Sequence, residues 1–218
     1  SVYSKEELTS LVEVLKPHEN IYVVSDEIYE HINFSGSYCS IGSIPGMFER
    51  TITVNGVAKA FAMTGWRIGY IGAPEFIAKA CTKLQGQVTS GANSIAQRAT
   101  IAALEANPSE IGYMVDAFHK RRDLVLQLVN DIKGLEVNKP EGAFYVFPDV
   151  SYYFGKTLNG VLINDADDLA LHLLEYANVA TVTGAAFGNP NCIRLSYATS
   201  ETMLREAFKR IKEVLEQV

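Results

Sequence analysis

The sequence predicts an α/β sheet followed by a smaller α+β unit, and three observations carry that prediction. Two apolar runs, Ile21-Tyr22-Val23-Val24-Ser25-Asp26-Glu27 and Thr51-Ile52-Thr53-Val54-Asn55-Gly56, have the length and near-continuous hydrophobicity of strands buried in a parallel sheet. Helical periodicity alternates with those runs, which is the order of an α/β fold. After Asn107-Pro108-Ser109 the pattern changes to one long helix and then short strands, so a boundary is placed near 107. Residues 1–107 and 108–218 are the expected domains.

Each element follows from local chemistry. The chain opens on Ser4-Lys5-Glu6-Glu7, a capping box leading into Leu8, Leu11, Val12 and Leu15, so a helix is expected over about 4–16. Opening on a capping box without a methionine fits a piece cut from a longer chain. A third strand is expected over Arg67-Ile68-Gly69-Tyr70-Ile71-Gly72-Ala73, closed by Pro74. Helices are expected from Glu75 to Leu84 and from Ser94 to Leu104. Beyond the boundary, Ser109 is the expected cap of a helix from Glu110 to Ile132. Strands follow at 135–137, 143–147, 179–182 and 192–197, with helices over about 166–177 and 200–217. Internal repeats and low-complexity tracts are absent from the sequence.

Composition excludes several classes of function. Of 218 residues, 48% are hydrophobic and 20% charged, which argues against disorder. A net charge of −6 with no Lys/Arg run argues against binding nucleic acid or an anionic membrane. The basic group His119-Lys120-Arg121-Arg122 reads as the solvated face of its helix. Cys39, Cys81 and Cys192 show no CxxC spacing and point to a reducing compartment, the cytoplasm. No apolar run reaches the roughly 20 residues a membrane-spanning helix needs. The four histidines show no metal-ligand spacing, and GxGxxG, Walker and GxSxG patterns are missing.

The candidates for chemistry lie at strand ends. Lys59 stands in the apolar stretch Val57-Ala58-Lys59-Ala60-Phe61-Ala62-Met63-Thr64-Gly65-Trp66-Arg67. Burial there would favour the neutral amine, a nucleophile toward carbonyl groups. Arg67, eight positions on, has a fork suited to a phosphate. Asp26 ends an apolar strand and could face a protonated ring nitrogen, with Tyr29 three residues on as a hydroxyl partner. Arg194 interrupts the apolar strand Cys192-Ile193-Arg194-Leu195-Ser196-Tyr197 and needs an anion if buried, either a protein carboxylate or a substrate's. Plainer readings stand beside these: a solvent-reaching lysine, a carboxylate-paired arginine, a helix-capping aspartate and a rim tyrosine.

Four segments together resemble the class I/II aminotransferases of pyridoxal phosphate fold type I. They are Ser25-Asp26-Glu27-Ile28-Tyr29, the stretch from Asn55 to Tyr70, Pro140-Glu141-Gly142-Ala143-Phe144-Tyr145, and Ile193-Arg194-Leu195-Ser196-Tyr197-Ala198. The middle segment is most similar to the bacterial aspartate aminotransferase branch. The resemblance implies pyridoxal 5′-phosphate as cofactor, with Lys59 as its imine-forming lysine and proton shuttle. It implies Asp26 on the pyridinium nitrogen, Tyr29 on the ring hydroxyl and Arg67 on the phosphate. Arg194 would hold the substrate α-carboxylate. An amino acid and a 2-oxo acid are the implied substrates, and a homodimer the implied assembly. Many relatives carry serine just before the lysine, where this chain has Ala58, so one phosphate contact would be absent or supplied elsewhere.

Family members are about twice this length. The resemblance therefore implies the carboxyl-terminal portion: 1–107 as part of the large cofactor-binding domain and 108–218 as the small domain. It also implies an open sheet edge and a cofactor lacking one wall, so that this portion alone is expected to be inactive. Two alternatives remain: a structural fragment that binds no cofactor, and a parent that runs another reaction of the same cofactor, such as elimination.

Overall fold

The computed structural model describes residues 2–217, which form two compact units, one running to Val115 and one from Asp116. The first unit opens with helix α1 (Lys5–Leu15), started by the expected capping box. The Glu7 amide donates to Ser4 Oγ at 3.1 Å, and the Ser4 amide donates to Glu7 Oε2 at 2.8 Å. Leu8 and Val12 from its inner face pack with Ile41, Ile44 and Met47 into a small core. The last turn of α1 carries no basic residue. Arg50 serves that end instead, its Nη2 donating to the Leu15 and His18 carbonyls at 3.0 and 2.8 Å and its Nε to Ile21 at 3.1 Å.

Strands β1 (Val23–Asp26), β2 (Thr51–Asn55) and β3 (Tyr70–Gly72) form a sheet in that order. The first two are parallel, with Val23 opposite Thr51 and Asp26 opposite Val54, so their carboxyl ends lie at one edge of the sheet. The third runs antiparallel to β2. It is shorter than expected because Arg67 takes a left-handed conformation (φ 53°) at the end of a tight turn, Thr64–Trp66, and cannot extend a strand. Strand β1 also departs from the doubly buried expectation. Val23 and Ser25 are half-buried while Val24, 68% exposed, and Asp26 occupy the open face of an edge strand.

Helices α2 (Glu75–Val88) and α3 (Ser94–Glu105) complete this unit. None of the fourteen residues of α2 is buried, and only Ala96 and Thr100 are buried in α3. Asn93 caps α3 through bonds from the Ile95 and Ala96 amides.

The long helix begins later than expected. Asn107, not Ser109, supplies the cap, accepting from the Ser109 amide at 3.0 Å ahead of a tight turn over Pro108–Ile111. Helix α4 then runs Gly112–Asn130. The second unit adds β4 (Tyr145–Val146), β5 (Lys156–Leu158), β6 (Val161–Ile163), α5 (Ala166–Ala177), β7 (Val182–Thr183), β8 (Ile193–Ser196) and α6 (Glu201–Leu215). Strand β8 lies between β4 and β7, antiparallel to both. The β5–β6 hairpin, which periodicity does not predict, turns on Asn159-Gly160, both at positive φ as a type I′ turn requires. The predicted strand at 135–137 is reduced to a single bridge from Glu136 to Asp149.

The basic group at 119–122 corrects one expectation. Arg122 is 3% exposed rather than solvated. Its Nε and Nη2 donate to Asp123 Oδ1 at 2.9 and 2.7 Å, and Nη1 to the Pro140 carbonyl at 3.3 Å, which satisfies a charge placed among Leu124, Val125 and Val129.

Candidate active site

The parallel pair ends in two tight turns, and Asp26, Tyr29 and Lys59 sit at their starts or on them. Asp26 is the last residue of β1, and its Oδ1 accepts from the Ile28 amide at 3.3 Å. The Glu27 amide continues the sheet by donating to Val54 at 2.8 Å. Bonds from Glu30 to the Glu27 carbonyl and from Ile32 to the Tyr29 carbonyl, each 2.9 Å, wind the segment that carries Tyr29. After β2, bonds from Phe61 to Val57 (3.2 Å) and from Ala62 to Lys59 (3.3 Å) close the turn that carries Lys59. The two turns meet: Lys59 Nζ stands 5.9 Å from the centroid of the Tyr29 ring.

The backbone at this end of the sheet is crowded and strained. A Cβ on Gly56 would lie 3.1 Å from the Ile68 carbonyl oxygen and 3.2 Å from Gly69 Cα, so a side chain there would push the two segments apart by a few tenths of an ångström. Ala62 (φ 51°) and Arg67 (φ 53°) are left-handed without being glycine, at roughly 1–2 kcal/mol each. Strain of this kind concentrates where a fold holds groups for a purpose other than stability. Asn55, 8% exposed, donates nothing to that strain; its Oδ1 accepts from the Gly56 amide at 2.7 Å and steadies the strand end.

Two expectations about burial are corrected. Lys59 is half-buried rather than sealed, because it lies on a turn past the strand and not within the sheet. Asp26 is exposed, since it shares the open face of β1 with Val24. Arg67 is exposed too, with Nη1 donating to the Thr64 carbonyl at 2.9 Å.

Arg194 belongs to the second unit, on β8 opposite Val182. It is half-buried, and among the described residues no carboxylate pairs with it. Two ring faces hold it instead, Tyr145 at 4.5 Å and Phe187 at 4.2 Å from the guanidinium carbon. Sequence reasoning missed this aromatic cradle because its walls come from β4 and from the turn after β7, far apart in the chain. It also missed the bonding of Glu27, although the adjacent acids Asp26-Glu27 on an alternating strand signal two different environments.

The sequence model for "Aminotransferase class I and II" matches residues 1–211. The chain belongs to that family. A bifunctional aspartate aminotransferase and glutamate/aspartate-prephenate aminotransferase from Petunia hybrida is 46% identical over 220 residues, covering 99% of this chain and 46% of that protein. An aspartate/prephenate aminotransferase from Cereibacter sphaeroides is 44% identical over 215 residues, covering 97% of this chain and 54% of its own length. The crystal structure of the Rhizobium meliloti aspartate aminotransferase superposes with a TM-score of 0.94 at 42% identity, over 99% of this chain and 55% of that one. The chain therefore spans about half the length of the curated relatives it matches, and its fold is that of the fold type I enzymes. The groups these segments carry, an amine, a carboxylate, a phenol and a guanidinium, are of the kinds that suit the family's cofactor.

Proposed function

We propose that the whole protein transfers an amino group between an aspartate-like amino acid and a 2-oxo acid with pyridoxal 5′-phosphate. The observation that carries this reading is the Lys59 amine beside the Tyr29 ring at the carboxyl end of a parallel strand pair that finishes on Asp26. Relatives from Pinus pinaster and Rhizobium meliloti are aspartate aminotransferases, which supports aspartate as the amino acid.

Asp26 would bond the cofactor's ring nitrogen, Tyr29 its ring hydroxyl and Arg67 its phosphate. When bound, pyridoxal phosphate supplies a ring that accepts the electrons left behind as the α-proton of the amino acid departs. Lys59 Nζ would take that proton from the α-carbon as general base and deliver it as general acid to the carbon of the cofactor's former aldehyde, one amine serving both ends of the shift. By the family resemblance, Arg194 would bind the substrate α-carboxylate, for which its guanidinium fork is suited.

We also place the protein in the cytoplasm and as a homodimer. Cys39, Cys81 and Cys192 all carry free thiols, as a reducing compartment maintains. No helix among the described residues is long and apolar enough to cross a membrane. The uncovered apolar side chains of α2 and α3, Phe76, Leu84, Val88 and Ile95 among them, offer area to a second subunit.

Borohydride trapping tests the central assignment. After mixing with pyridoxal phosphate and reduction, peptide mapping should find the pyridoxyl group on the Lys59 peptide, and Lys59→Ala should abolish it. Equal labelling of exposed lysines such as Lys79, with Lys59 spared, would remove the proposed role. The reaction itself is tested on the whole protein by coupled assay of aspartate with a 2-oxo acid acceptor.

A further inference from the structure

Glu27, next to Asp26, gathers three hydroxyl groups on one carboxylate. Its Oε1 accepts from Ser25 Oγ at 2.9 Å and from Ser40 Oγ at 2.7 Å, and its Oε2 accepts from the Tyr38 hydroxyl. Ser40 also accepts from the Gly42 amide at 3.3 Å and starts the turn Ile41–Ser43. Ile41 of that turn is 6% exposed, in the core with Leu8 and Val12. The carboxylate is thus tied, through a serine, to the small core that Ile41 shares with Leu8 and Val12.

The position along the strand gives this tie a direction. Ser25 and Glu27 alternate with Val24 and Asp26, so the two acids leave the backbone on opposite faces. A slip of one residue would exchange them, turning Asp26 inward and Glu27 toward the candidate site. Beyond Glu27 its own carbonyl accepts the bond that begins the Tyr29 turn.

We infer that Glu27 is a positioning residue, clamped by Ser25, Tyr38 and Ser40 so that Asp26 and Tyr29 present their side chains at the strand ends. This rests on the reading of Asp26 and Tyr29 as cofactor ligands. Burial and the Glu27 charge push the Tyr38 phenol well above its ordinary range, which keeps it a hydrogen donor at every working pH. Glu30 adds to that shift, and burial together with the Glu30 charge raises Tyr70.

The 218-residue chain itself carries the test, with Glu27→Ala, Glu27→Gln and Tyr38→Phe variants. In Glu27→Ala, amide exchange at Glu30 and Ile32 should speed up by about tenfold, the order that a charge-assisted hydrogen bond supplies. Exchange in α6 should not change. Pyridoxal phosphate affinity, read from absorbance on titration, should weaken by a similar factor. Glu27→Gln, which keeps one oxygen acceptor for the serines but neither the charge nor the acceptor for Tyr38, should recover only part of both losses. The Tyr38 phenol should titrate at lower pH in both Glu27 variants.

Unchanged exchange at Glu30 and Ile32 in Glu27→Ala would overturn the inference. So would loosened exchange with undiminished cofactor affinity, since the clamp would then hold the turn without serving the ligands. If Glu27→Ala does not fold, Tyr38→Phe decides on the same two readouts. Should the unaltered chain take no cofactor at all, the functional reading of Asp26 and Tyr29 fails for this chain. Nuclear Overhauser contacts then decide the clamp: Asp26 leaving the Val24 face in Glu27→Ala supports it, and Asp26 staying there refutes it.

Discussion

The two units treat their helices differently. In the second, α5 buries Ala166, Leu169, Ala170, His172, Leu173 and Ala177, and α6 buries Leu204, Phe208, Ile211, Val214 and Leu215. In the first, α2 buries nothing and α3 buries two small residues, while Leu84 and Ile95 are 67% and 70% exposed. Both units are compact, so the difference lies in what covers the helices and not in whether the chain collapses. The second closes its own core. The first holds its candidate site at the end of a sheet whose outer face and edge are open, where Asp26, Arg67 and half of Lys59 meet solvent.

Four measurements would sharpen or break that contrast. Leu169→Ala, at a residue fully buried in α5, should cost about 2–5 kcal/mol in urea unfolding through transfer and cavity terms. A loss below about 1 kcal/mol would mean that the second core is loosely packed. Asp165→Ala removes an N-cap that accepts from the Asp167 and Asp168 amides, at about 1 kcal/mol by the same measurement.

Acid should weaken the second unit through His172. Its ring is 3% exposed and stacked on Tyr176, and among the described residues neither nitrogen has a hydrogen-bond partner. Burial holds its pKa below 6.5, with the Glu175 charge opposing. The folded form therefore resists a proton that the unfolded chain accepts. Stability from this group is complete above pH 6.5 and declines as pH falls from there toward the folded value. His172→Phe should flatten that slope in melts taken between pH 7 and pH 5, and an unchanged slope would assign it to other groups. The smallest effect is expected from Leu84→Gln in α2, within about 0.5 kcal/mol, because the leucine already faces water.

Local chemistry made much of this legible in the sequence. Helix α5 begins on its aspartate cap and spans the predicted 166–177, and the capping box of α1 is formed as written. The Asn159-Gly160 hairpin carried its signal in plain view, but strands of three residues are too short for a period to register. The residue types of the candidate site were legible as chemistry. Their burial was not, because exposure at Asp26 depends on which elements cover β1, and no local pattern encodes that. Arg122 failed for the same reason: its neighbours Lys120 and Arg121 promised solvent, while Asp123 and the distant Pro140 carbonyl hold it inside.

Arg50 sets a limit on how this chain can vary. One guanidinium gathers three carbonyls from the stretch between Leu15 and Ile21 and so ends α1 from a position 35 residues away in sequence. Lysine at 50 would keep the charge but could not reach three acceptors from one planar fork. Drift at that site would leave those three carbonyls without their shared donor and loosen the end of the helix whose Leu8 and Val12 pack on Ile41.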